Sequence, residues 1–129
     1  MPARLWRDPA GVTKGLPCSV GLAFEGASYV VSLAGDLDHA ALPPVRASLL
    51  GAVHTDPGSL VVDLADLRFI DSSGLGLLVE IRRHALDRGV PVALRAPSPS
   101  VRALLEMTGA LPGLFPEAGG IRASGAPTP

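Results

Sequence analysis

The stretch from Leu60 to Gly76 constrains the fold most. Leu60-Val61-Val62-Asp63-Leu64 is a short apolar run suited to a central strand, and Leu67 to Ile70 lead straight into Asp71-Ser72-Ser73-Gly74. Beyond it, apolar residues recur at helical spacing to about Arg88, and Gly89 supplies a stop. A buried strand that hands its chain directly to a helix N-terminus is the building block of an α/β sheet.

The flanking segments extend that pattern. Val20, Leu22 and Phe24 alternate with small or polar residues, and Gly26-Ala27-Ser28 turns the chain into Tyr29-Val30-Val31-Ser32-Leu33, an opening hairpin. Gly35-Asp36-Leu37-Asp38 ends the second strand and offers Asp38 as a helix N-cap. Val45, Leu49 and Val53 then mark one face of a first helix, which accommodates Pro43 and Pro44 only near its first turn. Val90 to Leu94 reads as a further strand. Ser98 and Pro99 open a third helix, with Val101, Leu104, Leu105 and Thr108 on one face and Gly109 at its end. The expectation is one α/β domain over residues 18–116, a mixed β-sheet with an opening hairpin and packed α-helices. Residues 1–17, with Trp6 in a polar setting, form an N-terminal extension. Residues 117–129, with Gly119-Gly120 and a Pro-rich end, form a flexible C-terminal tail.

Composition narrows the function. A chain of 129 residues with net charge −1 and 4% aromatics has neither the charge to grip nucleic acid nor the platforms to stack bases. No apolar run approaches the ~20 residues that span a bilayer, and residues 1–17 lack a continuous apolar segment, so a cytoplasmic protein is expected. Cys18 stands alone, suits a small core or edge position, and leaves no thiol-based zinc site. His39, His54 and His84 are scattered without metal-ligand spacing. Ser72 lacks a Gly-x-Ser-x-Gly elbow, and Gly74-x-Gly76 is too short for a dinucleotide fingerprint. Neither a catalytic residue nor a cofactor or metal is expected.

The chemistry concentrates at Asp71-Ser72-Ser73-Gly74-Leu75-Gly76. Unpaired backbone N–H groups and the positive end of the helix dipole suit an anion there, so a serine in this turn could carry a phosphate. Gly74 and Gly76 leave the turn unshielded for an approaching protein. Asp71, Ser72 and Ser73 also fit simple helix caps. A helical wheel places Leu75, Leu78, Ile81 and Ala85 inward, with Leu86 and Val79 at the margin. It puts Leu77 outward beside Glu80, Arg83, His84 and Asp87, as an exposed contact for a partner.

Asp71-Ser72-Ser73-Gly74-Leu75-Gly76 resembles the signature of anti-sigma-factor antagonists, members of the STAS domain family. Gly35-Asp36-Leu37-Asp38-His39 is similar to the family's other diagnostic stretch, and Leu104 to Gly109 with Leu114-Phe115 to its later helix and strand. The resemblance covers roughly Ser19 to Phe115 and implies a STAS-like domain. It implies a switch protein and not an enzyme: one that binds an anti-sigma factor, itself a serine kinase, and so frees a sigma factor. Ser72 would be the phosphoryl acceptor, with ATP and magnesium belonging to the kinase and a serine phosphatase resetting the switch. Asp36, Asp38, Ser73, Gly74, Gly76 and Leu77 would then meet the partner. A family helix after the last strand has no obvious counterpart here. The alternative is a non-switching STAS module that binds a small ligand or scaffolds a signalling complex.

Overall fold

The computed structural model describes residues 18–118; the expectations for residues 1–17, Trp6 included, and for the tail from Gly119 onward lie outside the described residues. Gly26, at φ +63°, reverses the chain between β1 (Cys18–Glu25) and β2 (Ser28–Leu37), which pair antiparallel. A 3₁₀ turn (His39–Ala41) follows, then α1 (Leu42–Val53), with Pro43 and Pro44 in its first turn and Val45, Leu49 and Val53 buried as expected. The strand expected at Leu60–Leu64 extends through Leu67 to Ile70 as one continuous strand, β3 (Ser59–Ile70), which runs parallel to β2. Then come α2 (Ser72–Asp87), β4 (Val92–Arg95) parallel to β3, and α3 (Pro99–Met107). Gly89 at φ +75° and Gly109 at φ +82° end α2 and α3 in the left-handed conformation that a residue with a Cβ rarely adopts.

The sheet order is β1-β2-β3-β4. Leu22, Val31, Val62 and Leu94 align in one row across all four strands and join the hydrophobic core. α1 packs on β1 and β2, α2 on β3 and β4, and the two helices also pack on each other. Cys18 is wholly buried in this core, and burial pushes its thiol up to about 11, so it is an inert filler. The next row, by its register, faces the other side of the sheet. There Asp63, buried in β3, receives Arg95 of β4 at 3.0 Å, and Arg95 also reaches Glu25 of β1 at 3.0 Å. A buried carboxylate is tolerated because a guanidinium is hydrogen-bonded to it.

After α3 an irregular helical turn (Ala110–Leu114) buries Ala110 and Leu111, and Phe115 is fully buried. The Leu94 N–H donates to the Pro116 carbonyl at 3.0 Å and the Ala118 N–H to the Leu94 carbonyl at 2.7 Å. These bonds cap the β4 edge, which would otherwise present unpaired backbone groups. Among the described residues, a bridge from Leu94 to Glu117 forms here beside β4. No helix among the described residues is long and apolar enough to cross a membrane.

Candidate functional site

Parallel pairing brings the two diagnostic stretches to one place. Leu37 stands beside Ile70 in the β2–β3 register, so Asp38 and Asp71 leave neighbouring strands at the same end of the sheet. The Asp71 N–H donates to the Leu37 carbonyl at 3.3 Å and ties the start of α2 to the end of β2.

Asp71 is the N-cap of α2, with extended backbone dihedrals, and its Oδ1 accepts the Gly74 N–H at 2.9 Å. The same oxygen accepts the Ser73 hydroxyl at 2.6 Å. The Ser73 hydroxyl, followed by the Gly74 N–H, holds the Asp71 carboxyl below the usual aspartate range. The two motif serines therefore differ. Ser73 is partly buried and its hydroxyl proton is engaged. Ser72, the first helical residue, is exposed, and its hydroxyl has no hydrogen-bond partner among the described residues. It stands on the helix turn whose backbone N–H groups and dipole favour negative charge.

The two motif glycines also separate. A Cβ on Gly74 would lie 2.5 Å from the Leu37 carbonyl oxygen and 3.0 Å from Ile70 Cγ1, so this glycine lets the helix seat against the strand ends. It is buried and does not form an open approach, contrary to the reading of the sequence. A Cβ on Gly76 would meet nothing within 4 Å, and this position is the exposed one.

Leu77 also lies elsewhere than the helical wheel put it. It is 4% exposed and part of the core, not the outward contact that the wheel placed beside the serines. The buried arc of α2 is Gly74, Leu77, Leu78, Ile81 and Ala85, while Val79 and Leu86 are exposed and Leu75 is half-buried. The wheel centred that arc on the leucines facing the sheet. α2 also packs against α1, and Glu80, near Leu77 on the wheel, accepts Arg46 Nε of α1 at 2.9 Å. Contact with α1 rotates the buried face toward Leu77 and away from Val79 and Leu86.

Asp38 occupies the expected capping position, but its side chain makes no capping bond. Its Oδ1 is buried without a hydrogen-bond partner among the described residues. Asp36 lies opposite Phe69 in the register and forms an ion pair with Arg68 at 3.3 Å. Neither Arg68 nor Phe69 was given a site role in the sequence; a charged residue interrupting the apolar run at Leu67 to Ile70 was the available signal. No group of three or more His, Cys, Asp or Glu side chains among the described residues could hold a metal ion.

A family model described as Mlab, STAS domain, matches residues 20–111. The chain belongs to the STAS-domain family. It is 32% identical over 83 residues to an anti-sigma F factor antagonist of Lysinibacillus sphaericus, a match covering 64% of this chain and 71% of that protein. Among solved structures, the anti-sigma factor antagonist SpoIIAA in its unphosphorylated form is similar at 28% identity and a TM-score of 0.64, over 75% of this chain and 84% of that one. The Bacillus cell fate determinant SpoIIAA in the phosphorylated form is similar at 27% identity and a TM-score of 0.62, over 82% of this chain and 96% of that one. The STAS fold expected from the sequence is thus the observed one, and the relatives of this STAS protein include anti-sigma factor antagonists.

Proposed function

We propose that this STAS protein is an anti-sigma-factor antagonist whose partner, an anti-sigma factor with serine-kinase activity, phosphorylates Ser72 and thereby releases it. The observation that carries the reading is the contrast within the motif: the Ser73 hydroxyl is bound to Asp71 at 2.6 Å, whereas Ser72 is exposed at the helix N-terminus with no hydroxyl partner among the described residues. A related STAS protein known in a phosphorylated form supports a phosphoryl switch.

The chain's own groups supply a platform rather than catalysis, so the protein is read as a substrate and binder and not an enzyme. Asp71 fixes the first turn of α2 and withdraws Ser73 from competition. The open position at Gly76 admits the partner's backbone. Asp38, half-buried where β2 ends beside Asp71, is read as a contact or orienting residue of the switch. Asp36, already paired to Arg68, contributes a half-exposed acidic edge. Phosphate on Ser72 adds about −1.5 to −2 charges at pH 7, which the helix N-terminus accommodates while a desolvated partner contact does not. A phosphatase would then restore the binding form. On this reading the protein acts in the cytoplasm with its kinase.

The test is exposure of the full chain to candidate kinases with ATP and magnesium, followed by intact mass and phosphopeptide mapping. One added phosphate on Ser72, abolished in Ser72→Ala, is the expected result. Phosphate on Ser73 with Ser72 unmodified refutes the residue assignment, and a chain that no kinase modifies points to the non-switching STAS module.

A further inference from the structure

Beside the phosphoacceptor turn, the end of β3 and the first turns of α3 leave an open cavity of about 260 Å³, lined by Arg68, Phe69, Ile70, Ser100, Val101 and Leu104. One lining residue and a neighbour on α3 are exposed apolar side chains. Phe69 is 50% exposed, and Met107, one helical turn beyond Leu104, is 79% exposed. Arg68 stands at the rim with its side chain 75% exposed, and its ion pair to Asp36 at 3.3 Å leaves much of the guanidinium open to solvent. These features are continuous with the proposed switch surface, since Phe69 lies opposite Asp36 in the sheet and three residues before Ser72.

We infer that this cavity is a second anchor point for the anti-sigma kinase, receiving an apolar side chain that adjoins a carboxylate. This rests on the function proposed above and names how the partner is selected. Three observations choose the occupant. The volume, about 260 Å³, has room for one protruding side chain. Phe69 and Leu104, which line the cavity, offer an apolar seat of the kind that buries an interface anchor. Arg68 supplies charge complementarity for an acidic neighbour, and its planar fork can bind a second carboxylate while retaining Asp36. A kinase that reaches Ser72 must cover this end of the sheet, which puts the cavity within its footprint.

The experiment measures binding of the full-length chain to each purified serine-kinase anti-sigma factor of the source organism by calorimetry. Wild type is compared with Phe69→Ala, Arg68→Glu and Ser100→Trp. Ser100 is exposed at the cavity rim, so the tryptophan plugs the site without entering the core. Each variant is expected to melt close to wild type, to bind the cognate kinase at least tenfold more weakly, and to be phosphorylated on Ser72 only at raised kinase concentration. One Asp or Glu→Arg change on the kinase should restore binding to Arg68→Glu but not to Phe69→Ala. If wild type binds and is phosphorylated while all three variants bind equally well, the cavity assignment fails and the switch stands. Wild type that binds no kinase overturns both. Variants that alter only self-association in sedimentation assign the cavity to a second copy of the chain and refute the inference.

Discussion

Replacing Gly74 and Gly76 separately by alanine should move stability in opposite directions, although both lie in the first turns of one helix. Alanine is favoured over glycine inside a helix by about 0.5–1 kcal/mol, because glycine loses more backbone entropy on folding. At Gly76 nothing lies within 4 Å of the new Cβ, so the full gain should appear. At Gly74 the Cβ would sit 2.5 Å from the Leu37 carbonyl oxygen and 2.9 Å from Leu37 Cγ. The carbonyl is backbone and also accepts the Asp71 N–H, so relief requires the helix start to move off the end of β2. Overpacking of this kind costs about 1–3 kcal/mol, leaving a net loss on the order of 1–2 kcal/mol after the propensity gain. Urea unfolding followed by circular dichroism should show the midpoint falling for Gly74→Ala and rising slightly for Gly76→Ala, with similar slopes. Equal shifts of the same sign would mean that α2 does not seat on Leu37 as described.

Leu77→Ala should destabilise the fold by about 2–5 kcal/mol, as loss of a buried leucine does, and chemical denaturation will show it; a change below about 0.5 kcal/mol would restore Leu77 to the surface. Asp71→Ala should cost about 0.5–2 kcal/mol through loss of the helix cap. Because the native Asp71 pKa is lowered, that cost should be fully present above the unfolded-state value near 4. It should shrink as pH falls further through the native value, so denaturation at pH 7 and pH 3 checks the sign. Ser73→Ala should leave Ser72 phosphorylation intact, whereas Ser72→Ala should abolish it; mass spectrometry after kinase treatment distinguishes them.

Much of the fold is legible in local sequence because its signals are local. Gly26, Gly89 and Gly109 sit at positive φ where the chain turns or a helix stops, and Val45, Leu49 and Val53 line one helical face. The start of α2 at Ser72 follows from Asp71 as cap. Features set by neighbours distant in sequence were harder to read. The phase of α2 depends on α1, which claims the Leu77 side. The role of Gly74 depends on Leu37, which only parallel pairing brings near. Asp38 looks like a cap in isolation, yet its side chain caps nothing. Arg68 and Phe69 gain meaning only once Asp36 lies beside them and α3 folds against β3. A residue's chemistry is visible in the chain; the surface it faces is not.

In the proposed switch, phosphate on Ser72 breaks a protein contact without breaking the fold. The most direct measurement compares the affinity of the cognate anti-sigma kinase for the unmodified chain and for a chain carrying phosphoserine at position 72, with thermal melts of both. The helix N-terminus can hold the added charge, so the melts should nearly coincide. A dianion in a desolvated interface should weaken binding at least tenfold, about 1.4 kcal/mol. Equal affinities for the two forms would mean that Ser72 phosphorylation is not the switch.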